Sequence, residues 1–197
     1  ISLANNTTGH RKIAVGKGAL GATTEVSDTP AVGGGGTLSD NVTGNYNTAI
    51  GALALHLNTG SQNTATGAEA LYSNTTGILN TANGIYALRE NTDGINNTAS
   101  GSGALSLNTT GYNNTAIGAN ALVNNVIGVD NLAIGNNSGQ LITGSRNIAI
   151  ANRGLAGESN TIRIGNANHT RTFVSGIGGA QTGLADAVTV VIDSNGQ

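Results

Sequence analysis

The sequence Asn47-Thr48-Ala49-Ile50-Gly51 decides the fold, because close copies of it recur down the chain at an almost fixed interval. The interval is nearly constant until the last copy, where it shortens. A repeat of about 17 residues cannot hold a helical hairpin or a propeller blade, which favours one coil of a parallel β-solenoid per repeat. The later copies start at Asn63, Asn80, Asn97, Asn114, Asn131, Asn147 and Asn160.

A second pattern fills the rest of each repeat. After the glycine comes an Ala-Leu pair, and then a polar stretch that closes on another glycine. We therefore predict a coil of strand, glycine turn, second strand, polar loop and second glycine turn, with positive φ at both glycine corners. The leucines of these pairs are Leu55, Leu71, Leu88, Leu105 and Leu122.

Side chains at the same position of successive coils stack into columns, and the alternation of side chains along a strand predicts which way each column faces. The alanine of each strand, as in Ala65 and Ala82, faces a narrow interior and packs against the leucines. The threonines before it, from Thr48 to Thr115, are expected to form a ladder of mutually bonded hydroxyls. The asparagines that start each copy are expected to form a ladder of amides that satisfies buried polar groups.

Composition excludes several classes of function. The net charge is −2 and 9% of the residues are charged, so the basic stripe that nucleic-acid binding needs is missing. No run of about 20 apolar residues predicts a membrane span. With no cysteine, and with His10, His56 and His169 in unrelated settings, we predict neither a metal site nor a cofactor.

An interior of alanine and leucine is thin for a stable solenoid. Burial contributes about 25 cal/mol per Å² of apolar area, which hardly offsets chain entropy of about 1–2 kcal/mol per residue. We therefore expect an oligomer that buries further residues around a shared axis. Threefold symmetry is the usual arrangement in such rods, although the repeat spacing alone does not select three chains.

The repeat defines the expected domains. Residues 1–165 form the repeat domain, and residues 166–197 form a short non-repeating β neck. Within the first, residues 21–41 hold Pro30, the only proline, and separate a coil-like segment near Lys12 from the regular copies. We interpret 21–41 as a loop inserted at a coil corner. The chain starts at Ile1 and is expected to be a piece of a longer protein.

The Asn-Thr-Ala-Ile-Gly coils with Ala-Leu in their second half resemble the heads of trimeric autotransporter adhesins of the YadA-like type. The resemblance covers about residues 11–165, and the coils are longer than those usual in that family. It implies a left-handed parallel β-roll, a homotrimer and an extracellular position on a bacterial surface.

The C-terminal segment resembles a different kind of protein. It runs from Asn160-Thr-Ile-Arg-Ile-Gly165 to Val191-Ile-Asp-Ser-Asn-Gly-Gln197 and looks like the linker before an intramolecular chaperone domain of phage tail fibres and endosialidases. This resemblance implies a trimeric fibre of a phage or related injection particle.

Recognition in a solenoid is expected where the repeat is interrupted, because stacking dictates the remaining columns. The first candidates for binding a host-surface protein or glycan are the acidic residues Glu25, Asp28 and Asp40 of the segment 21–41. The next are the corners that carry Tyr72, Tyr86, Glu90 and Asp93.

Two alternatives to an adhesive fibre stay open. A polysaccharide-degrading tailspike needs paired carboxylates, but no acid of the regular coils follows another acid in its column, so such a site is expected only between chains. An ice-binding solenoid needs two threonine columns, and the second threonine, two residues after the first, is present only at Thr66. We therefore expect a protein that is not an enzyme.

Overall fold

The structure, a computed structural model, describes residues 3, 5, 9–22 and 26–171. The chain divides into two units, Ile1–Asn166 and Ala167–Gln197. Of the second unit, residues 167–171 form a turn and irregular chain. The strands predicted near Phe173 and Val188 for the β neck lie outside the described residues.

The first unit is an all-β parallel solenoid, as predicted. Each strand pairs only with the strands before and after it in sequence, which gives one ten-stranded parallel sheet. No helix occurs in the described ranges, so none there is long and apolar enough to cross a membrane. The strands are β1 (Lys12–Val15), β2 (Thr29–Val32), β3 (Thr48–Ile50), β4 (Thr64–Thr66), β5 (Thr81–Asn83), β6 (Thr98–Ser100), β7 (Thr115–Ile117), β8 (Leu132–Ile134), β9 (Ile148–Ile150) and β10 (Ile162–Ile164).

The register of the sheet confirms the predicted alanine column. Ala65 pairs with Ala82, and the same column continues through every strand from β1 to β9. These alanines are buried from Ala31 to Ala149, and the leucines pack against them in one continuous core. The residues on either side of each alanine point away from this core.

The prediction of an inserted loop at residues 21–41 is wrong, because this segment contains the strand and the buried turn of a further coil. Strand β2 pairs with β1 and β3, which places Ala31 in the alanine column, and Leu38 is buried in the leucine column. Pro30 concealed the strand, since proline usually argues against a sheet interior. The ladder continues around it through hydrogen bonds from Gly33 N to Val15 O and from Gly51 N to Val32 O, both 2.8 Å.

The second half of each coil is a turn and not a strand, which corrects the expected coil pattern. Its buried leucine has a left-handed backbone, with φ of 50° at Leu88 and 51° at Leu122. This conformation costs about 1–2 kcal/mol, and burying a leucine contributes about 1.5–3 kcal/mol, so burial outweighs the strain. The turns still stack, since Leu88 N donates to Ala104 O over 3.0 Å.

The two glycine corners are required for different reasons. At the first, Gly84 has φ of 141°, and a Cβ there would lie 2.6 Å from the carbonyl oxygen of Gly101. At the second, Gly77 has no positive φ, but its Cβ would lie 2.6 Å from the carbonyl oxygen of Gly94. Positive φ at the second corner occurs two residues later, as at Leu79 with φ of 60°.

The predicted asparagine ladder is confirmed, and a second one accompanies it. In the first, the Asn97 side-chain amide donates to Gly111 O over 2.8 Å, while its oxygen accepts from Asn114 N over 3.0 Å. The second ladder donates to the same glycine corners and consists of Asn41, Asn58, Asn74, Asn91, Asn108 and Asn125. No buried side-chain nitrogen or oxygen in the described part of the chain lacks a partner.

The threonine column is in register, but the expected hydroxyl ladder does not form. Thr64, Thr81 and Thr98 are exposed on the outer face of the sheet. Within the described ranges, no hydrogen bond joins one hydroxyl of this column to the next. The reason is geometric: adjacent strands lie about 4.7–4.9 Å apart, so like-oriented hydroxyls in register are farther apart than a hydrogen bond allows.

Candidate functional site

Three neighbouring columns of side chains cover the turn face, the surface formed by the second half of each coil. The first column lies two residues before the buried leucine, and the other two lie one and two residues after it. Uncharged residues fill most positions of these columns, but charged and aromatic ones gather on the coils around Leu71 and Leu88. The sequence-predicted residues Tyr72, Tyr86 and Glu90 meet there.

Arg89 is the centre of this cluster. Its Nε lies 2.7 Å from Oε2 of Glu69, and its Nη1 pairs with Oε1 of Glu90. Its guanidinium carbon also lies 5.5 Å from the ring centre of Tyr72 and 5.9 Å from that of Tyr86, within cation–π range. One cation therefore joins two carboxylates and two aromatic rings from two successive coils.

The partners of Arg89 keep it charged. The hydrogen bond to Glu69 raises the pKa of the Arg89 guanidinium above its ordinary value, and the negative charges of Glu90 and Glu69 act in the same direction. Burial opposes this shift. Since the cluster holds one cation and two carboxylates, it carries a net charge of about −1 at neutral pH.

Tyr72 and Tyr86 have different surroundings. Tyr72 stacks on His56 of the preceding coil, with ring centres 5.2 Å apart and planes 23° apart, and Arg89 follows it in the same column. The next position in the column of Tyr86 is Gly103, so this column supplies no side chain from the following coil to cover its ring. Tyr86 is 46% exposed. Tyr72 is therefore held between coils, whereas Tyr86 is open to a ligand.

A cleft of about 500 Å³ opens beside the cluster, and we call it the Arg89 cleft. Glu69, Tyr86, Arg89 and Glu90 line one part of it. The following coils contribute Ser102, Gly103, Ser106, Leu107 and Asn120. The cleft exists because short side chains follow Tyr86 and Arg89 in their columns, and its volume lies in the range of about 300–1,000 Å³ typical of small-molecule sites.

The other predicted site residues lie apart from this cleft. Asp28 pairs with Arg11 over 2.6 Å just before β2. Asp93 accepts hydrogen bonds from the hydroxyls of Thr75, at 3.1 Å, and Thr76, at 2.6 Å, at a glycine corner. Asp28 and Asp93 therefore tie adjacent coils together.

Asp40 and Glu25 complete the predicted set. Asp40 accepts from Ser39 over 2.9 Å and lines a second cleft of about 510 Å³ with Lys17 and several glycines. Glu25 lies outside the described residues. No aromatic ring lines the second cleft, and most of its lining residues are glycine, alanine or serine.

Sequence reasoning missed Glu69, Arg89 and His56 as members of the site. It also expected no meeting of carboxylates within one chain, yet Glu69 and Glu90 both bind Arg89. Glu69 precedes the buried leucine of its coil and Glu90 follows that of the next, so they occupy different columns and a search along columns did not find them. The available signal was the succession His56, Tyr72, Arg89, which fills one column on three successive coils.

The described residues contain no group of three or more histidine, cysteine, aspartate or glutamate side chains that could hold a metal ion. His56 instead stacks on Tyr72. Its Nδ1 lies 2.8 Å from the Ser39 hydroxyl and 3.0 Å from Gly36 O, both on the preceding coil.

Comparison of the chain with protein families, with curated proteins and with solved structures finds no match.

Proposed function

We propose that this chain is a structural and adhesive segment of a homotrimeric extracellular fibre, on a bacterial surface or a phage or injection-particle tail. The observation that carries the proposal is the contrast between the buried columns and the turn face. The buried columns of alanine, leucine and asparagine repeat and serve stacking, whereas the Arg89 cluster gathers charged and aromatic side chains beside a cleft. A rigid rod with one irregular, polar and aromatic cleft suits presentation of a receptor-binding surface.

The outer face of the sheet supports association with further copies of the chain. From β3 to β10 the outward positions carry no charged side chain, so like copies meet there without charge repulsion. Over β7 to β10 the face becomes apolar, and Ile162 and Ile164 are each 67% exposed. A continuous apolar patch of this kind marks an interaction surface. Its members are Ile117, Leu132, Ile134, Ile148, Ile150, Ile162 and Ile164.

The resemblance to YadA-like adhesin heads supports the same proposal, as does that of the C-terminal segment to tail-fibre linkers. Both kinds of protein are trimeric fibres outside the cell. The left-handed sense of the roll and the threefold symmetry belong to this proposal.

Sedimentation equilibrium tests the oligomer. We expect a mass three times the 19.4 kDa of one chain. Ile134→Asp places a charge on the apolar face and should shift the mass toward the monomer. Leu79→Asp is the matched control, because Leu79 is a similarly exposed corner residue in the column that carries Asp130. A wild-type chain that is a folded monomer would overturn the trimer.

Adhesion is tested with beads that carry the purified chain, applied to a panel of bacterial and animal cells. Tyr86→Ala should abolish attachment. Tyr112→Ala should not, since Tyr112 is equally exposed, at 47%, but lies outside the Arg89 cleft. Equal attachment of the two variants, or none by the wild type, would contradict an adhesive role for this cleft.

A tailspike enzyme is the second candidate, because two carboxylates meet in one cleft. In a glycosidase the two carboxyl groups flank the scissile bond, about 5–10 Å apart. Here the Arg89 guanidinium occupies the space between Glu69 and Glu90. We therefore propose binding without cleavage. Size-exclusion chromatography of polysaccharides incubated with the chain should show unchanged lengths, and shortened products would favour the enzyme.

A further inference from the structure

We infer that the Arg89 cleft binds a neutral saccharide. This inference rests on the proposed adhesive function and names the chemical class of its receptor. It follows from the charge of the cleft, from the hydrogen-bonding groups that remain free and from the open face of one aromatic ring.

The charge of the cleft disfavours anions. Two nitrogens of Arg89 already bind Glu69 and Glu90, and the other lining residues are uncharged. A sulfate, phosphate or carboxylate group would therefore meet a net negative charge and an arginine that already pairs with two carboxylates. Like-charge contacts of this kind oppose binding.

The remaining polar groups match hydroxyls better than a protonated amine. Within the described ranges, no group donates to Oε1 of Glu69, which leaves a carboxylate oxygen as an acceptor in the cleft. Ser102, Ser106 and Asn120 offer both donors and acceptors. A sugar hydroxyl donates and accepts and thus uses both kinds of group, whereas an ammonium ion only donates and leaves the donors of Ser102, Ser106 and Asn120 unused.

Tyr86 supplies the apolar surface that a sugar ring needs. Its neighbour in the next coil is Gly103, so the ring is not covered from that side, and nearly half of its surface is exposed. A pyranose presents a face of C–H groups that packs on an aromatic ring while its hydroxyls reach the rim. The cleft combines such a ring with polar groups on several sides.

Affinity electrophoresis tests the inference with dextran, mannan, starch and galactomannan as neutral probes. Diethylaminoethyl-dextran and dextran sulfate are the cationic and anionic counterparts of dextran. We expect at least one neutral polysaccharide to retard the chain. Tyr86→Ala should weaken this retardation at least about tenfold, as expected from the loss of an aromatic contact, and Tyr112→Ala should leave it unchanged.

A second variant keeps the test independent of the tyrosine. Gly103→Asn places a side chain beside the Tyr86 ring and should weaken retardation to a similar extent. It suits the backbone, because Gly103 has φ of 68° and Asn120 occupies the next position of the column with φ of 53°. A Cβ at Gly103 would lie 2.6 Å from Oδ1 of Asn120, a side-chain end that can rotate away. Circular dichroism at the wild-type level would show that the coil is intact.

Failure of this inference is distinct from failure of the proposed function. Retardation by dextran sulfate or diethylaminoethyl-dextran alone, or by none of the probes, would overturn the inference that the cleft binds a neutral saccharide. If Tyr86-dependent cell attachment persists in that case, the adhesive function stands with a different receptor. If a neutral polysaccharide binds through Tyr86 while attachment is absent, the saccharide site stands and the adhesive function fails.

Discussion

At the scale of single residues, buried amides hold the coils together. The side-chain Nδ2 of Asn97 donates to Gly111 O and to Oδ1 of Asn80, and its Oδ1 accepts from Asn114 N. Each amide thus satisfies backbone groups at a corner that no strand reaches. Because an unsatisfied buried donor or acceptor costs about 1–3 kcal/mol, these asparagines are structural rather than available for recognition.

Asn97→Ala should destabilise the solenoid more than a surface change on the same coil. It removes the acceptor of Asn114 N and one of the two side-chain donors to Gly111 O, so we expect a loss of about 2–4 kcal/mol in the free energy of unfolding. Thr110→Ala is the control, since Thr110 is exposed at the corner of the same coil, and it should change stability by no more than about 0.5 kcal/mol. Urea unfolding followed by circular dichroism measures both, and equal effects would contradict the role of the ladder.

At the scale of elements, the strands were predictable and the turns were not. A constant alanine between two variable positions reveals the strand period and its buried face. The turn instead forces a buried leucine such as Leu88 into a left-handed backbone, which leucine rarely adopts, so the Ala-Leu pair suggested a strand. Similarly, Pro30 concealed a coil, and the Arg89 cluster joins different columns that a linear period does not connect.

The tight alanine column gives the prediction for a single strand. Ala99 is fully buried on β6, and Ala99→Val should overpack the interior and cost about 1–3 kcal/mol. Thr98→Val on the same strand is the control, because its side chain faces solvent and makes no hydrogen bond in the described structure. Its stability should stay close to that of the wild type. Thermal unfolding measures the Tm of both variants. A Tm of Ala99→Val equal to that of the wild type would show that the interior has room for the larger side chain.

At the scale of the whole molecule, each coil contacts only its neighbours. Strands β1 to β10 pair strictly in sequence order, and none of these described strands contacts a strand of a distant coil. Its stability is then close to a sum of coil and interface contributions. The proposed saccharide site, in contrast, needs the particular succession of Glu69, Arg89 and Gly103 on adjacent coils. Removal of one whole coil should therefore remove the proposed binding site without unfolding the solenoid.

Deletion of residues 97–113, which is one full period, should leave the solenoid folded and remove the cleft. Asn114 then follows Asn80 in the ladder and Leu122 follows Leu88 in the core, while Asn120 replaces Gly103 beside Tyr86. We expect a rod shorter by about 4.8 Å in small-angle scattering, and loss of the Tyr86-dependent binding. Deletion of residues 97–104 should instead unfold the chain, because half a period places core positions at the surface. Equal damage by the two deletions would show that the coils do not act as independent stacking units.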